Sequence, residues 1–216
     1  MDPRHFSSRV ALPTLAGMRI VVIGAHGTIG TATTRLLRHH GHAVIAVGRT
    51  RGDVTCDIRD QQALRAMWDA VGEVDAVVSA AGSVRFAPFA ELTDADFANA
   101  WNAKGWAQVN LVRTGLDHVA PDGSFTLISG IPARDPAKGG VAAATVNGAV
   151  EAFVRAAATE IAPRRINVVS PSVVTESLDA FDQAFPGFPA VPADDVARAY
   201  RKSVEGGSTG QVITLP

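Results

Sequence analysis

"VVIGAHGTIGTA", residues 21–32, runs from a β-branched apolar segment into a helical pattern by way of Gly24, Gly27 and Gly30. A dinucleotide pyrophosphate needs close access to the backbone, and a helix N-terminus offers it free amides and the positive end of a dipole. Glycines between a strand and a helix meet both needs, so Gly24, His26, Gly27, Thr28, Ile29 and Gly30 form the expected cradle. His26 either touches the cofactor's ribose or phosphate or is an exposed loop histidine. Where an NAD-binding version carries an acidic residue for the ribose 2′-hydroxyl, "VGRTRGD" places Arg49 at 49 − 30 = 19 positions beyond the last glycine, with Thr50 and Arg51 beside it. Arginine holds a 2′-phosphate by a bidentate contact, so NADP(H) is expected over NAD(H). The alternative for Arg49 and Arg51 is a solvated turn.

Outward from this stretch, apolar runs alternate with helical patterns. Strands are expected at 19–23, 43–47, 53–58, 75–79, 124–129, 166–170 and 211–215. Helices are expected at 28–40, 60–71, 94–118, 141–161 and 193–204, with Asp60 and Thr93 as capping residues. Alternation of this kind predicts an α/β fold: a three-layer, doubly wound parallel sheet of about seven strands. Residues 175–192, "TESLDAFDQAFPGFPAVP", lack a clear period and read as a lid loop. Residues 1–17 are expected to form a loose tail ahead of one domain spanning 18–216.

Composition narrows the function. The 216 residues, 47% hydrophobic, suit one buried core rather than two separate domains. Lys and Arg total 20 against 21 Asp and Glu, so no net field draws the chain to nucleic acid or to anionic membranes. The single Cys56 cannot form an internal disulfide, and no run reaches the roughly 18 apolar residues of a membrane span. A cytoplasmic protein is expected, with no metal site. Cys56 itself reads as a small buried apolar residue.

With "SAAGSV" (79–84), "CDI" (56–58), Ser129 after the fifth strand and "VVSPSVVTES" (168–177), the chain resembles the short-chain dehydrogenase/reductase family from about residue 18 to the end. That resemblance implies that Asp57 and Ile58 hold the adenine and that Ala80, Ala81 and Gly82 line the middle of the cofactor. Pro171, Ser172, Val173 and Thr175 would then face the nicotinamide, and Ser129 would stand at the catalytic serine position. The family's Tyr-x-x-x-Lys falls on Ala143 and Asn147 in "GGVAAATVNGAVEAFVRAAATEI" (139–161), and the chain's one tyrosine is Tyr200. Lys104 stands near the family's catalytic asparagine position, with Asn102 close by. In these departures the chain resembles a bacterial subgroup of the family lacking the usual active-site residues.

Two functions follow from that resemblance. One is an NADP-dependent oxidoreductase for a small carbonyl or alcohol substrate, with Ser129, Lys104 and Asn147 as its catalytic set. Lys104 is then either a replacement proton donor or a structural lysine lying along its helix. The other is a catalytically inactive NADP(H)-binding sensor or structural partner. Long Ala- and Trp-rich helices predict a homodimer or homotetramer, with Trp101, Trp106 and Phe153 at the contact.

Overall fold

The computed structural model describes residues 17–181 and 183–216, so the expected tail, Gly17 apart, lies outside the described residues. Seven parallel strands form one sheet: β1 (Arg19–Ile23), β2 (Ala43–Gly48), β3 (Val54–Thr55), β4 (Val74–Ser79), β5 (Val119–Ile128), β6 (Arg165–Ser170) and β7 (Val212–Thr214). Their order is β3-β2-β1-β4-β5-β6-β7. The connecting helices are α1 (Thr28–His39), α2 (Gln61–Val71), α3 (Asp94–Ala100), α4 (Ala107–Gly115), α5 (Val141–Glu160), α6 (Leu178–Phe181) and α7 (Ala193–Glu205). This is the expected three-layer α/β fold. The order reverses beside β1, and that switch point opens a crevice at the carboxyl ends of β1 and β4.

Strand periodicity explains the layers. In β1, Val21 and Ile23 pack with Met67, Trp68, Leu111, Phe125 and Val150 on one face. Ile20 and Val22 point the other way and pack with Leu37, Val196 and Tyr200. A strand covered on both faces has no need for polar alternation, hence its continuous apolar run. Asp60 caps α2 by accepting from the amides of Gln62 and Ala63, and Thr93 and Asp96 form a reciprocal capping box on α3.

Three elements differ from expectation by more than one residue at a boundary. The strand expected at 53–58 pairs only at Val54–Thr55, because Asp57 and Arg59 turn back on one another directly after it. The helix expected at 94–118 is interrupted by π-helical turns at Trp101–Trp106 and ends at Gly115. Strand β5 begins at Val119 rather than 124 and shifts register between Val74 and Ala76, accommodating the Pro121–Asp122–Gly123 sequence as an irregularity inside the strand. The stretch 175–192 holds a 3-10 turn at Thr175–Ser177 and α6.

Candidate functional site

The crevice contains two cavities that share Gly82 and Ser83 as lining residues. The first, about 370 Å³, lies at the tips of β1 and β2. Gly24 turns with φ +75°, and a Cβ there would stand 2.9 Å from the carbonyl oxygen of Ala80. At Gly30 a Cβ would fall 1.9 Å from the Gly24 oxygen, so this glycine closes the helix onto the loop. At Gly27, by contrast, a Cβ would meet nothing nearer than 3.5 Å. Gly27, which lines the cavity, caps α1 with no side-chain bond to its amides, so the first-turn N–H groups have no side-chain partner. A phosphate fits that cradle, and a larger residue at Gly27 would fill it.

Arg49, Thr50 and Arg51 line the same cavity with Asp57, Ile58, Ala81 and the half-buried Cys56–Arg59 turn. Arg59 was not foreseen. Its guanidinium grips Asp57, with Nε 2.9 Å from Oδ1 and a terminal nitrogen 2.5 Å from Oδ2, and this bond holds the Asp57 carboxyl below the usual range. Arg49 and Arg51 therefore line the cavity beside an Asp57–Arg59 ion pair, which suits a phosphorylated ribose. Cys56 is buried, and burial pushes its thiol up to about 11, as expected of an inert core cysteine.

The second cavity, about 310 Å³, brings together Lys104, Ser129 and Asn147 with Ala143. Ala80, Pro171, Ser172 and Val173 line it too, as does Ile29, which was expected in the glycine-loop cradle. Thr28, Gly30 and Thr175 line neither cavity. Thr28 and Thr175 are exposed, and the Thr175 amide is spent on Val191. Aromatic side chains close the outer side: Phe86 packs on Phe181 and Phe185, with ring centroids 5.6 Å away in both cases.

The π-helical turns explain how Lys104 reaches the site. Gln108 bonds both to the Lys104 carbonyl (3.0 Å) and to Ile128 at the end of β5, drawing the widened helix against the strand. Gly82, at φ +133°, leaves room for the Lys104 stem, since a Cβ would lie 2.8 Å from its Cγ. Lys104 Nζ donates to the Ser129 carbonyl at 2.9 Å. Burial lowers its pKa to about 8, opposed by the charge of Glu151.

Glu151 is the second residue that sequence reasoning missed. It is 7% exposed and accepts from the hydroxyls of Ser129 (2.8 Å) and Ser170 (3.0 Å). Its spacing was a readable signal, because Ala143, Asn147 and Glu151 follow at four-residue intervals on the buried face of α5. Asn147 Nδ2 approaches the Gly130 carbonyl at 3.4 Å, while Asn147 Oδ1 and Ser172 Oγ are buried without a partner. Two orphaned polar atoms at a cavity wall fit a bound polyhydroxyl ligand such as a nucleotide ribose. Tyr200 lies elsewhere: its hydroxyl donates to the Ser79 carbonyl at 2.6 Å in the core beneath α7.

A family model described as Enoyl-(Acyl carrier protein) reductase matches residues 15–205. L-xylulose reductase from Homo sapiens is 29% identical over 182 residues, spanning 76% of this chain and 75% of the relative. The crystal structure of the protein lin1944 from Listeria innocua superposes with a TM-score of 0.90 at 45% identity, covering 93% of this chain and 100% of that one. A small-chain dehydrogenase in complex with NADPH has a TM-score of 0.82 at 25% identity, covering 92% and 96%. Since the matched stretch takes in the glycine turn, Ser129 and α5, the fold and its relatives agree with the motifs, and the chain belongs to the short-chain dehydrogenase/reductase family.

Proposed function

We propose that the chain binds NADP(H) and acts as an oxidoreductase on a small carbonyl or alcohol substrate, with Ser129, Lys104 and Asn147 as its catalytic set and Ala143 in place of the family's tyrosine. In this reading it belongs to a divergent bacterial group without the usual Tyr-x-x-x-Lys. The observation that carries the reading is the continuous cleft, with Arg49, Arg51 and Arg59 around one cavity and the Lys104 ammonium and Ser129 beside the next. The names of relatives support it: one is called Carbonyl reductase [NADPH] 2 from Sus scrofa, and the solved complex holds NADPH. Bound NADP(H) supplies the hydride chemistry. Arg49 and Thr50 hold the 2′-phosphate, Asp57 and Ile58 the adenine, and Ala81 and Gly82 the middle of the cofactor. The Asn147 Oδ1 accepts from the ribose hydroxyls, and Val173 and Ser172 bound the nicotinamide end. Lys104 has three N–H donors and gives one to Ser129, so two remain for a substrate oxygen on which negative charge develops.

A second reading, cofactor binding without hydride chemistry, is favoured by one observation: the Ser129 hydroxyl proton is turned inward to Glu151 rather than toward the cavity. Fluorescence titration with NADPH and NADH, followed by absorbance at the nicotinamide band with aldehydes, ketones, quinones and alcohols, separates the two. Tight NADPH binding with turnover supports the oxidoreductase; binding with no turnover across both oxidised and reduced substrates supports the sensor. We also propose a homodimer or homotetramer, in which the exposed Trp101 (42%) and Trp106 (38%) are covered. Phe153 is already half-buried against the core and is a weaker contact than the two tryptophans. A monomer in light scattering at micromolar concentration overturns the assembly.

A further inference from the structure

The inward turn of Ser129 has a chemical consequence. A hydroxyl carries one proton and two lone pairs. Ser129 gives its proton to Glu151 Oε1 at 2.8 Å, and Ser170, on the neighbouring strand, gives its own to the same oxygen at 3.0 Å. Both serines are therefore donors toward one buried acceptor, and Ser129 has only lone pairs to present to the cavity it lines. The groups around this acceptor hold it in place. Lys104 lies on the cavity side, bonded to the Ser129 carbonyl. Arg134 donates to the Ser170 hydroxyl at 2.8 Å, and Arg155, one helical turn on and 57% exposed, stands 3.7 Å from Glu151 Oε2.

We propose that Glu151 is a positioning residue that fixes Ser129 as a hydrogen-bond acceptor, so that the site selects the alcohol form of its substrate and takes the proton from it through Ser129 to Glu151. The inference rests on the oxidoreductase reading of the same cleft. In the transfer the substrate O–H bond breaks and a new O–H bond forms at Ser129 Oγ. The original Ser129 O–H bond breaks, and its proton ends on Glu151 Oε1. The products are a substrate alkoxide and a protonated carboxyl, with no change in total charge. The alkoxide faces the Lys104 ammonium, and the proton rests on the buried Oε1 of Glu151. A ketone oxygen, an acceptor like Ser129, meets no proton there and must rely on Lys104 alone.

An isosteric pair tests this without turnover. α-Tetralol and α-tetralone have the same shape, and their aromatic ring suits the Phe86, Phe181 and Phe185 wall. Each is titrated into the protein, alone and with NADP+, and binding is followed by protein NMR shifts. The wild type should take the alcohol about tenfold more tightly than the ketone, the scale of one mismatched buried hydrogen bond. Ser129→Ala should bring the two within about twofold. Glu151→Ala releases the Ser129 proton to the cavity and should reverse the preference, whereas Glu151→Gln, which keeps an acceptor oxygen for both serines, should retain it. A structural anchor would change melting temperature in these variants and leave the preference untouched. If Glu151→Ala does not fold, Ser129→Ala and Glu151→Gln still decide. Equal affinities, a ketone preference, or no binding of either ligand by protein that takes up NADPH overturns the inference and leaves the cofactor reading standing. An alcohol preference in protein that fails to bind NADPH does the opposite.

Discussion

The two cavities of the cleft were shaped by different demands. The first depends on backbone: Gly24 and Gly30 are placed where a side chain would clash, and Gly27 lines the open cavity. The second depends on side chains carried by helices: Lys104 on the π-helical turns bonds the Ser129 carbonyl, and Asn147 on α5 approaches the Gly130 carbonyl. Backbone cradles admit few substitutes. A proton donor or a charge can be delivered from another element, provided its atom reaches the same place, and in the proposed reading Lys104 does this from the π-helical turns. The contrast predicts that mutations at the first cavity fail by geometry and those at the second fail by chemistry.

The largest effect should come from Gly30→Ala. Its Cβ would stand 1.9 Å from a backbone oxygen with no flexible side chain to yield, so we expect a loss of about 3 kcal/mol in stability and undetectable NADPH binding. Gly27→Ala sharpens the point, because its Cβ has space in the protein: the melting temperature should hold while NADPH affinity falls. Calorimetric melting and cofactor titration of both variants check this, and equal melting losses would show that the loop is merely a tight turn.

Next in size is Lys104→Ala. Losing a positive donor at the oxygen where charge develops should lower turnover about a hundredfold with NADPH affinity unchanged. The pH dependence follows from the pKa of about 8. Below it Lys104 is an ammonium and turnover is flat; above it the charge is lost and turnover declines, and this alkaline limb should vanish in Lys104→Ala. Stability runs the other way. The unfolded chain keeps the lysine protonated to its ordinary value of 10.5, so between about 8 and 10.5 it binds more protons and stability rises with pH. A melting series across that window in wild type and Lys104→Met reads the difference.

These two predictions divide as the sequence did. The glycine turn, the strands around it and the positions of the arginines after β2 were legible, because glycine positions and β-branched runs report local backbone requirements. Arg59 was not, since its contact with Asp57 depends on a turn where a longer strand was expected. Phe86 was hidden for a different reason: it meets Phe181 and Phe185 across nearly a hundred residues. The interruption at Trp101–Trp106 was also illegible, because the Gln108 bond to β5 that accompanies it is tertiary. Glu151 could have been found, as an acidic residue one turn beyond Asn147 on the face that Ala143 marks as buried.

A smaller effect is expected at Arg49. Arg49→Ala should erase a several-fold preference for NADPH over NADH while Arg51 retains part of the affinity. Competitive titration of the two cofactors measures it, and equal affinities in the wild type would place the arginines in a solvated turn instead.

The smallest effect is predicted for Ala143→Tyr, although it restores the family's most familiar residue. Ala143 is 4% exposed and lines the second cavity, so a phenol has somewhere to go. A phenol's ordinary pKa is near 10, and it becomes a useful acid only if a neighbouring ammonium lowers it. The amide at Asn147 cannot do that, and in the proposed reading the free donors of Lys104 point to the substrate oxygen. NADPH oxidation should therefore change less than about twofold. Adding Asn147→Lys alone brings a second ammonium toward Lys104, and their repulsion should deprotonate one of the two rather than activate the phenol. The gain should appear only in the triple variant Ala143→Tyr, Asn147→Lys, Lys104→Asn, which moves the ammonium from the π-helical turns to α5. Carbonyl reduction in the single Ala143→Tyr variant well above wild type would show that Lys104 already serves the phenol's position, and that the second cavity was altered by one residue rather than rebuilt.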